Sequence, residues 1–460
     1  MGRLSVSDEE FRALAARTSE LAADYLAHLD DVPAFPETSG ERTLKLFATG
    51  LPEEGMGASA FDGLGQIVQH VRPSSPRFFG YVFGSGEPVA ALGDYFASVL
   101  NQNVTAWRSG PAAVTIERAV VRGLAEAIGC RGFTGSLCGG GSSANLMGLA
   151  MARESKAPAN EAGARPGTVY ASREVHMSIP KAMALLGLGR SNLRLVEVDD
   201  SFRMRADKLR EAVEQDKRAD NRLLAVVATA GTVNTGAIDP LPEIAAVARE
   251  HRLWFHVDGA YGALAALAIP EKFTGLSEAD SLSLDAHKWL YQPVDCGCLL
   301  YRDTGAAQRA FSHTGDYAKS LTQDPVEGFV FFEESMELSR RFRALKVWLS
   351  LRYHGLAAFR DSIAEDLRLA QYLVDRIRSE EQLELLASGE LSAVCFRARG
   401  ASDANNAEIL KRVVQRGRVY LSNATICGMF ALRACVVNHR TTEKDMDLVI
   451  EEVLAVAKGV

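Results

Sequence analysis

The sequence of 460 residues lacks any apolar run close to the ~20 residues that a membrane-spanning helix needs. It also lacks a block of Lys and Arg, and its formal net charge is −7. We therefore expect neither a nucleic-acid-binding face nor a surface for anionic membranes. The first ten residues are polar and acidic, without the basic and apolar regions of a signal peptide.

Cysteine is scarce and scattered. Of seven cysteines, only Cys296 and Cys298 are close together, and they lie in an apolar stretch that is typical of a buried strand. This pattern predicts reduced thiols and favours a cytoplasmic location. A metal site at His251, His256 and Asp258 is disfavoured, because strand alternation leaves His251 outside the face that the other two share. We expect no metal.

The chain is too long for one compact core, and its composition, 47% apolar and 24% charged, is that of a globular protein. Residues 8–30 have the apolar spacing of an amphipathic helix, and a proline-bearing stretch follows. We predict that residues 1–68 form a helical arm that packs on something else, such as a partner subunit. Residues 69–347 would form a large domain, and residues 348–460 a smaller α+β domain.

From about residue 115, short apolar runs alternate with helical patterns. This alternation predicts an α/β fold with a mainly parallel sheet covered by helices, in which ligands bind beyond the carboxyl ends of strands. A weakly patterned segment, residues 311–337, is expected to form a mobile lid. The predicted strands include the runs 223–228, 253–257, 281–284 and 297–301.

Two residues that directly follow predicted strands point to chemistry on an amine. Lys288 follows an apolar run and stands between a histidine and a tryptophan, where a partly desolvated amine can form a Schiff base. Asp258 ends another strand and can pair with the pyridine nitrogen of pyridoxal 5′-phosphate (PLP). The alternatives are a surface lysine at a strand end and an aspartate that caps a helix or forms a buried ion pair.

A glycine-rich segment, residues 137–145, precedes an apolar helix predicted to begin at Leu146. Glycines allow backbone N–H groups to approach an anion, so the segment predicts a phosphate cradle. It also matches a dinucleotide fingerprint formally, from Gly139 to Ala144, which keeps a nicotinamide oxidoreductase as an alternative. That match is weak, because no acidic residue closes a second strand ~20 residues later.

Together and in this order, these segments make the chain resemble the fold-type I, aspartate aminotransferase-like, PLP-dependent decarboxylases of group II, which include aromatic L-amino acid and glutamate decarboxylases. The resemblance extends from about Pro76 to Asp447. Its motifs are Phe78-Phe79-Gly80-Tyr81, Gly141-Ser142-x-Ala144-Asn145, His256-Val257-Asp258-x-Ala260-Tyr261, Asp285-x-His287-Lys288-Trp289, Arg340-Arg341-Phe342-Arg343-Ala344-Leu345-Lys346 and Leu432-Arg433-x-Cys435.

The resemblance implies a role for each candidate residue. Lys288 would hold PLP as an aldimine, Asp258 would pair with its pyridine nitrogen, and His176 would stack on its ring. Thr229 would contact ring substituents or the substrate carboxylate. The family is a homodimer with a wrapping N-terminal arm, and Gly355 matches a glycine brought to the neighbouring subunit's site. The phosphate would be held by Gly141, Ser142, Asp285 and His287.

The implied reaction is decarboxylation of an L-amino acid, through an external aldimine and a quinonoid, with release of CO₂ and an amine. An aromatic substrate is favoured, with Tyr81 and Phe83 available to line the pocket. Asn103 and Thr105 fall where aromatic-specific relatives have larger apolar residues, and Arg108 can meet an acidic side chain. Small and acidic substrates therefore stay open.

One position departs from the family pattern. Counting back from Ser339 places Phe331 where many relatives have a loop tyrosine that protonates the carbanion, and phenylalanine has no proton to give. In relatives this change accompanies oxidative chemistry that yields an aldehyde, ammonia and peroxide. Tyr317, His313 or water stay open as donors, and an inactive PLP-binding scaffold is a further alternative.

Overall fold

The computed structural model describes residues 4–313 and 324–460, which form two β-sheets covered by helices. Within these residues the larger sheet has seven strands, in the order β1-β7-β6-β5-β4-β2-β3. The strands are β1 (Thr134–Cys138), β2 (Thr168–Ser172), β3 (Leu193–Val196), β4 (Leu223–Thr229), β5 (Trp254–Asp258), β6 (Ser281–Asp285) and β7 (Gly297–Tyr301).

The strands from β6 to β3 run parallel, whereas β7 runs antiparallel to both β1 and β6. The connection from β6 to β7 is shorter than the dozen or so residues that a crossover between parallel strands needs, so β7 runs in the opposite direction to β6. The prediction of a mainly parallel sheet is confirmed. Strands β4 to β7 consist almost wholly of buried residues, as expected for a sheet covered on both faces.

Helices cover both faces of this sheet and enclose apolar cores on each side. None of the described helices is long and apolar enough to cross a membrane. The helices up to this sheet's last strand are α1 (Asp8–Ala27), α2 (Gly40–Phe47), α3 (Leu64–His70), α4 (Pro88–Leu100), α5 (Pro111–Ala127), α6 (Gly141–Lys156), α7 (Ser178–Leu185), α8 (Ala206–Arg218), α9 (Leu241–Glu250) and α10 (Ala286–Trp289).

The smaller sheet is antiparallel, in the order β10-β11-β9-β8, and has its own apolar core. This arrangement matches the predicted α+β unit at the C-terminal end. Its strands are β8 (Leu383–Ser388), β9 (Ala393–Ala398), β10 (Ser422–Ile426) and β11 (Met429–Cys435). The remaining helices are α11 (Thr304–Phe311), α12 (Ala344–Ser379), α13 (Asp403–Arg416) and α14 (Glu443–Ala457).

Helix α12 links the two sheets and is broken at one residue. Gly355 has φ 77°, in the left-handed region that only glycine adopts without strain. The predicted boundary between residues 347 and 348 falls in the first part of this helix, and the division into domains stays a prediction.

The N-terminal arm has little to bury within this chain. The predicted helix over residues 8–30 is found as α1, which ends at Ala27, and Ser7 caps its first turn. None of the residues of α1, α2 or α3 is buried. An amphipathic arm left this exposed is consistent with packing on another surface.

Of the predicted lid over residues 311–337, residues 314–323 lie outside the described residues, and the last part forms backbone contacts. Val330 forms a β-bridge with Ala106. The Trp107 N–H donates to Phe329 O at 3.0 Å, and the Phe331 N–H donates to Thr105 O at 2.8 Å. These backbone bonds join the segment from about residue 329 to the residues before α5, and the mobility of the lid stays a prediction.

Candidate active site

A cavity of ≈ 280 Å³ lies at the carboxyl ends of β4, β5 and β6. Its volume is close to the lower end of the ~300–1,000 Å³ typical of small-molecule sites. The position is the one that the sheet rule predicts. It brings together these candidate residues: Gly141, Ser142, His176, Thr229, Asp258, Asp285, His287 and Lys288.

Strand register explains why residues distant in the sequence meet here. Thr229 pairs with Asp258 across β4 and β5, and Asp258 pairs with Ser283 across β5 and β6. Since parallel strands end at the same edge, the last residue of each strand reaches one crevice. Asp285 is the last residue of β6, and Lys288 lies in the helix that follows it.

Lys288 lies in the wall of the cavity and not on the outer surface. Its side chain is 18% exposed, and Nζ is 3.1 Å from Asp285 Oδ2. An amine held beside a cavity and screened from bulk water is suited to attack an aldehyde. The interpretation of Lys288 as an ordinary surface lysine is therefore disfavoured.

Asp258 is buried and held by neutral hydrogen-bond donors. Its Oδ2 accepts from Asn145 Nδ2 at 2.8 Å, and its Oδ1 accepts from Ser283 Oγ and the Ala260 N–H, both at 3.2 Å. Among the described residues it forms no ion pair, and it caps none of the helices. A carboxylate arranged in this way is free to pair with a cation that enters the cavity.

The glycine-rich segment leads from β1 directly into α6, which begins at Gly141 and not at the predicted Leu146. Gly140 has φ 134°. A Cβ on Gly141 would lie 2.6 Å from Ala260 Cβ, so only glycine allows this close approach. The earlier start places the first-turn N–H groups of α6 at the cavity, where they and the helix dipole favour a phosphate.

Asp285 and His287 lie beside this helix terminus. His287 Nε2 is 3.6 Å from Asp285 Oδ2, and its Nδ1 accepts from the Cys296 N–H at 3.3 Å. Burial, more than any other effect, lowers the pKa of His287. Because an ionised carboxylate repels phosphate, we interpret Asp285 as holding Lys288 and His287 in place and not as a direct phosphate ligand.

His176 follows β2 and is half-buried at the cavity. Its Nδ1 accepts from the Ser178 N–H at 3.2 Å, and burial is the main cause of its lowered pKa. The imidazole is therefore neutral near pH 7 and presents a flat face and one N–H group.

Thr229 is fixed through its backbone, and its hydroxyl is left for a ligand. The Thr229 N–H donates to Asp239 Oδ2 at 2.7 Å, and burial raises the pKa of Asp239 to about 7. Among the described residues, Thr229 Oγ1 and Asp285 Oδ1 are buried without a hydrogen-bond partner. A polar molecule bound in the cavity could supply the missing partners.

These features fit PLP. A phosphate suits the first turn of α6, an aldehyde suits the amine of Lys288, and a protonated ring nitrogen suits Asp258. The flat imidazole of His176 suits an aromatic ring. The dinucleotide alternative requires an acidic residue at the end of the next strand, but β2 ends at Ser172.

Phe331 does not reach this cavity. Its side chain has no exposed surface, lies against Phe329 and sits under the Arg340 guanidinium at 4.1 Å. The short 3₁₀ helix Phe331–Glu333 is anchored by the backbone bonds described above. A completely buried ring cannot contact a ligand without local opening, so this burial disfavours the catalytic role of Phe331, which stays a prediction.

The predicted substrate-pocket residues and Gly355 also lie outside the cavity wall. Tyr81 is 60% exposed. The Phe83 ring lies 4.0 Å from the Arg72 guanidinium. Asn103 is exposed and accepts from the Arg340 N–H at 2.9 Å. Thr105 is half-buried, so any contact of these residues with substrate stays a prediction.

Sequence reasoning missed several residues of the cavity. Asn145 and Tyr261 stand inside quoted motifs, and their position beside Gly141 and Asp258 was an available signal. The apolar wall had no comparable signal, because isolated valines in loops are common. Its members are Val82, Val233 and Val294.

Comparison with known proteins identifies relatives over almost the full length of the chain. The family model "Pyridoxal-dependent decarboxylase conserved domain" matches residues 61–399. An aromatic-L-amino-acid decarboxylase of Bacillus atrophaeus is 32% identical over 473 aligned residues, which cover 99% of this chain and 97% of that protein. A phenylacetaldehyde synthase of Petunia hybrida is 28% identical, with 93% and 90% coverage.

The fold has a close counterpart among solved structures. The crystal structure of Oryza sativa TDC with PLP and tryptamine superposes with a TM-score of 0.92 at 26% identity. The superposition covers 100% of this chain and 99% of that chain.

Proposed function

Because the chain belongs to the family of pyridoxal-dependent decarboxylases, we propose that it removes CO₂ from an aromatic L-amino acid and releases the amine. The enzyme depends on PLP, as its family does. The observation that supports the site assignment is the single cavity wall shared by Lys288 and Asp258. The cofactor, when bound, supplies an electron sink for the bond that breaks at the α-carbon.

Lys288 and Asp258 hold different parts of the cofactor in this proposal. Lys288 binds the cofactor aldehyde through Nζ, and the nearby Asp285 keeps that amine at the cavity wall. Asp258 keeps a proton on the pyridine nitrogen, because the buried carboxylate stabilises a cation beside it. Asn145 and Ser283 hold the carboxylate in position.

The first turn of α6 binds the phosphate in this proposal. Gly141 and Ser142 offer backbone N–H groups there, and the helix dipole adds a favourable field. His287, close to the same terminus, would contribute its Nε2–H. Gly355 would act at the neighbouring subunit's site.

His176 and Thr229 orient the substrate. The half-buried imidazole covers one side of the cavity, and the unpartnered Thr229 hydroxyl lies in its wall. A carboxylate held by these groups is fixed in one orientation, which is how a site selects one of the bonds at the α-carbon for cleavage.

The preference for an aromatic substrate is supported by the relatives and by the wall chemistry. The Bacillus relative is named for aromatic amino acids, and the apolar side of the cavity includes Val82, Val233 and Val294. Burial of an aromatic ring against an apolar wall stabilises the bound substrate by roughly 1.5–3 kcal/mol relative to an exposed ring. No cationic side chain other than Lys288 lines the cavity within the described residues, which disfavours an acidic substrate.

The alternative product is an aldehyde, with ammonia and peroxide. The Petunia relative, named as a phenylacetaldehyde synthase, is the observation that favours it. The predicted effect of Phe331 on this choice is untested, and the burial of its ring outside the cavity disfavours it.

A substrate panel tests the proposal. The PLP-loaded enzyme is incubated with phenylalanine, tyrosine, tryptophan, histidine, glutamate and cysteine sulfinate, and CO₂, amine, aldehyde and peroxide are measured. We expect CO₂ and an equal amount of amine from at least one aromatic substrate. Equimolar aldehyde and peroxide would establish the alternative. If no substrate releases CO₂, the remaining alternative is an inactive PLP-binding scaffold protein.

We also propose that the chain forms a homodimer in the cytoplasm. An apolar stripe on α4 is exposed at helical spacing, and the arm helices bury none of their residues in this chain. All seven cysteines are free, which suits a reducing compartment. The stripe consists of Leu92, Tyr95, Phe96, Val99 and Leu100.

A further inference from the structure

A buried chain of hydrogen bonds extends from the cavity into the core behind β5. It joins Asn145 of α6 to His256 of β5, then to Ser281 of β6 and Trp254 of β5. Each of these side chains is at most 5% exposed. Helix α6 closes over the imidazole at Gly148, where a Cβ would lie 2.5 Å from His256 Cε1.

The donor and the acceptor of every hydrogen bond in this series follow from the Asp258 end. An ionised carboxylate only accepts, so the Asn145 side chain must turn its NH₂ group toward Asp258 Oδ2, at 2.8 Å. Its carbonyl oxygen then faces His256 Nε2, at 2.9 Å. An oxygen acceptor at this distance requires that His256 carry its proton on Nε2.

The hydrogen bonds at the opposite end of this series, from His256 to Trp254, agree with this assignment of donors and acceptors. A neutral His256 with its proton on Nε2 must accept at Nδ1, where Ser281 Oγ lies at 2.8 Å. Burial lowers the pKa of His256 to about 4, so the ring is neutral. Ser281 therefore donates to the ring, and its oxygen accepts from Trp254 Nε1 at 2.8 Å, a group that can only donate.

The second N–H of Asn145 leads to His176. It donates to Ser178 Oγ at 2.9 Å, and Ser178 Oγ lies 2.9 Å from His176 Nδ1. The Ser178 backbone N–H also donates to that nitrogen. His176 Nδ1 is thus an acceptor, and the proton of the neutral imidazole is on Nε2, the nitrogen left for the cavity.

We propose that Asn145 is the positioning residue that links Asp258 to His176: its amide orients Asp258 and, through Ser178, fixes His176 as a donor at Nε2. The amide itself is oriented by His256. This inference rests on the proposed function, since it takes Asp258 as the partner of the cofactor's pyridine nitrogen and His176 as the group that covers its ring. It makes His176 Nε2–H a donor to the substrate carboxylate.

The first experiment reads the tautomers directly. In holoenzyme labelled with ¹⁵N-histidine, long-range ¹H–¹⁵N spectra near pH 7 show which ring nitrogen is protonated. His176→Gln and His256→Gln assign the two signals. We expect both rings to be neutral with the proton on Nε2. A proton on Nδ1 of either ring, or a doubly protonated ring, would overturn the proposal.

The second experiment replaces the amide with its isostere. Asn145→Asp sets a carboxylate against Asp258, so the pair retains a proton at low pH. Once that proton is lost at higher pH, the two charges repel each other and Asp258 is displaced from the position in which it meets the cofactor. The titratable groups that act on the cluster are His176, His256, Lys288, Asp285 and Lys181. We therefore measure PLP affinity, without substrate, at about pH 6 and about pH 8.5.

We expect the Kd of Asn145→Asp, relative to wild type, to rise roughly tenfold from the lower to the higher pH. Asn406→Asp is the matched control, because Asn406 is fully buried and makes three hydrogen bonds to backbone groups of the smaller unit. Its Kd ratio should not depend on pH. An unchanged ratio for Asn145→Asp would overturn the proposal.

Borohydride reduction of the wild-type holoenzyme separates the two levels of inference. If no cofactor adduct is trapped at Lys288, the proposed function fails at its first step. If the adduct forms but the tautomers or the pH dependence differ from expectation, the role of Asn145 alone is wrong.

Discussion

Lys288 Nζ and Asp285 Oδ2 lie 3.1 Å apart, across the point where β6 ends and α10 begins. The carboxylate is almost completely buried, whereas the lysine side chain keeps a path to the cavity. The ion pair therefore fixes the amine at the wall where a cofactor aldehyde would enter. This one-turn geometry explains why the reactive lysine directly follows a buried strand.

Lys288→Arg should retain the ion pair but lose the covalent cofactor bond. A guanidinium cannot be deprotonated in proteins, so it forms no Schiff base. We expect the rate of CO₂ release to fall by on the order of 10³-fold. Absorption spectra and borohydride trapping measure the lost adduct. Lys272→Arg, at an exposed position, is the control, and a trapped adduct in Lys288→Arg would contradict the assignment.

Phe331→Tyr should change stability and leave the product unchanged. The ring is completely buried under Arg340, so an added hydroxyl overpacks the core at a cost of about 1–3 kcal/mol. Denaturant unfolding measures that cost, and the ratio of amine to aldehyde is assayed in parallel. A change of this ratio without a loss of stability would show that position 331 does reach the reacting carbon.

Glu117→Gln should be strongly destabilising. Glu117 and Arg340 form an ion pair in which neither side chain is exposed, and both also bond to the backbone of Leu137 in β1. Removal of the Glu117 charge leaves the buried Arg340 with only the contact to Glu337 at 4.0 Å as an ion pair, and breaking a buried pair costs roughly 3–5 kcal/mol in the free energy of unfolding.

The matched control for that pair is Glu365→Gln, which breaks an exposed pair with Arg368. Exposed pairs contribute about 0–1 kcal/mol, so chemical denaturation should show little change. Equal effects of the two substitutions would mean that burial does not determine the strength of the Glu117–Arg340 pair.

The ends of the strands were predictable from the sequence, and much else in the site was not. Asp258 and Lys288 follow continuous apolar runs, and parallel strands bring such positions to one edge whatever the loops do. Asn145 shows the limit. Its partners His256 and Asp258 are 111 and 113 residues away, and no local pattern reveals a hydrogen bond across three elements.

Phe331 shows a second limit. The spacing from Ser339 is simple to count, but a loop position acquires its environment from distant contacts, here Thr105 and Arg340. The start of α6 was misplaced for a local reason. Gly141 and its neighbours have low helix propensity, which argues against a helix start there. Close packing of Gly141 against Ala260 outweighs that local preference, and α6 begins at Gly141.

His256 should make the protein sensitive to acid. Burial lowers its pKa to about 4 in the folded chain, against about 6.5 for an unfolded histidine. The unfolded chain therefore takes up a proton first, so this stabilising contribution is complete above pH ~6.5 and is lost as pH falls toward 4. Between about pH 7 and pH 5 the loss is roughly 2 kcal/mol.

Urea unfolding of wild type and His256→Gln at both pH values, with saturating PLP, isolates this contribution. The variant should be less stable near pH 7 because it loses bonds to Asn145 and Ser281. Its stability should fall less between the two pH values. Parallel pH profiles would mean that His256 is not the group that takes up the proton.

The apolar stripe on α4 leads to a prediction about assembly. The opposite side of this helix packs on α12, where Asp94 accepts from the buried Lys346 Nζ at 2.8 Å, so the stripe is free to meet another surface. Tyr95 and Phe96 are 49% and 51% exposed, a high value for large aromatic side chains. In a dimer, a charge at either position would be buried without a partner.

Phe96→Lys should therefore convert the proposed dimer to a monomer, because an unpaired buried ammonium costs several kcal/mol at an interface. Sedimentation velocity of the wild type and the variant, at equal concentration, measures the change in mass. Leu185→Lys is the control, since Leu185 is 74% exposed on a different helix, α7. If Phe96→Lys remained dimeric, the stripe on α4 would not be the contact between subunits. A wild type that sediments as a monomer would exclude the proposed dimer. The exposed apolar surface of the arm and of α4 would then not be covered by a second copy of this chain.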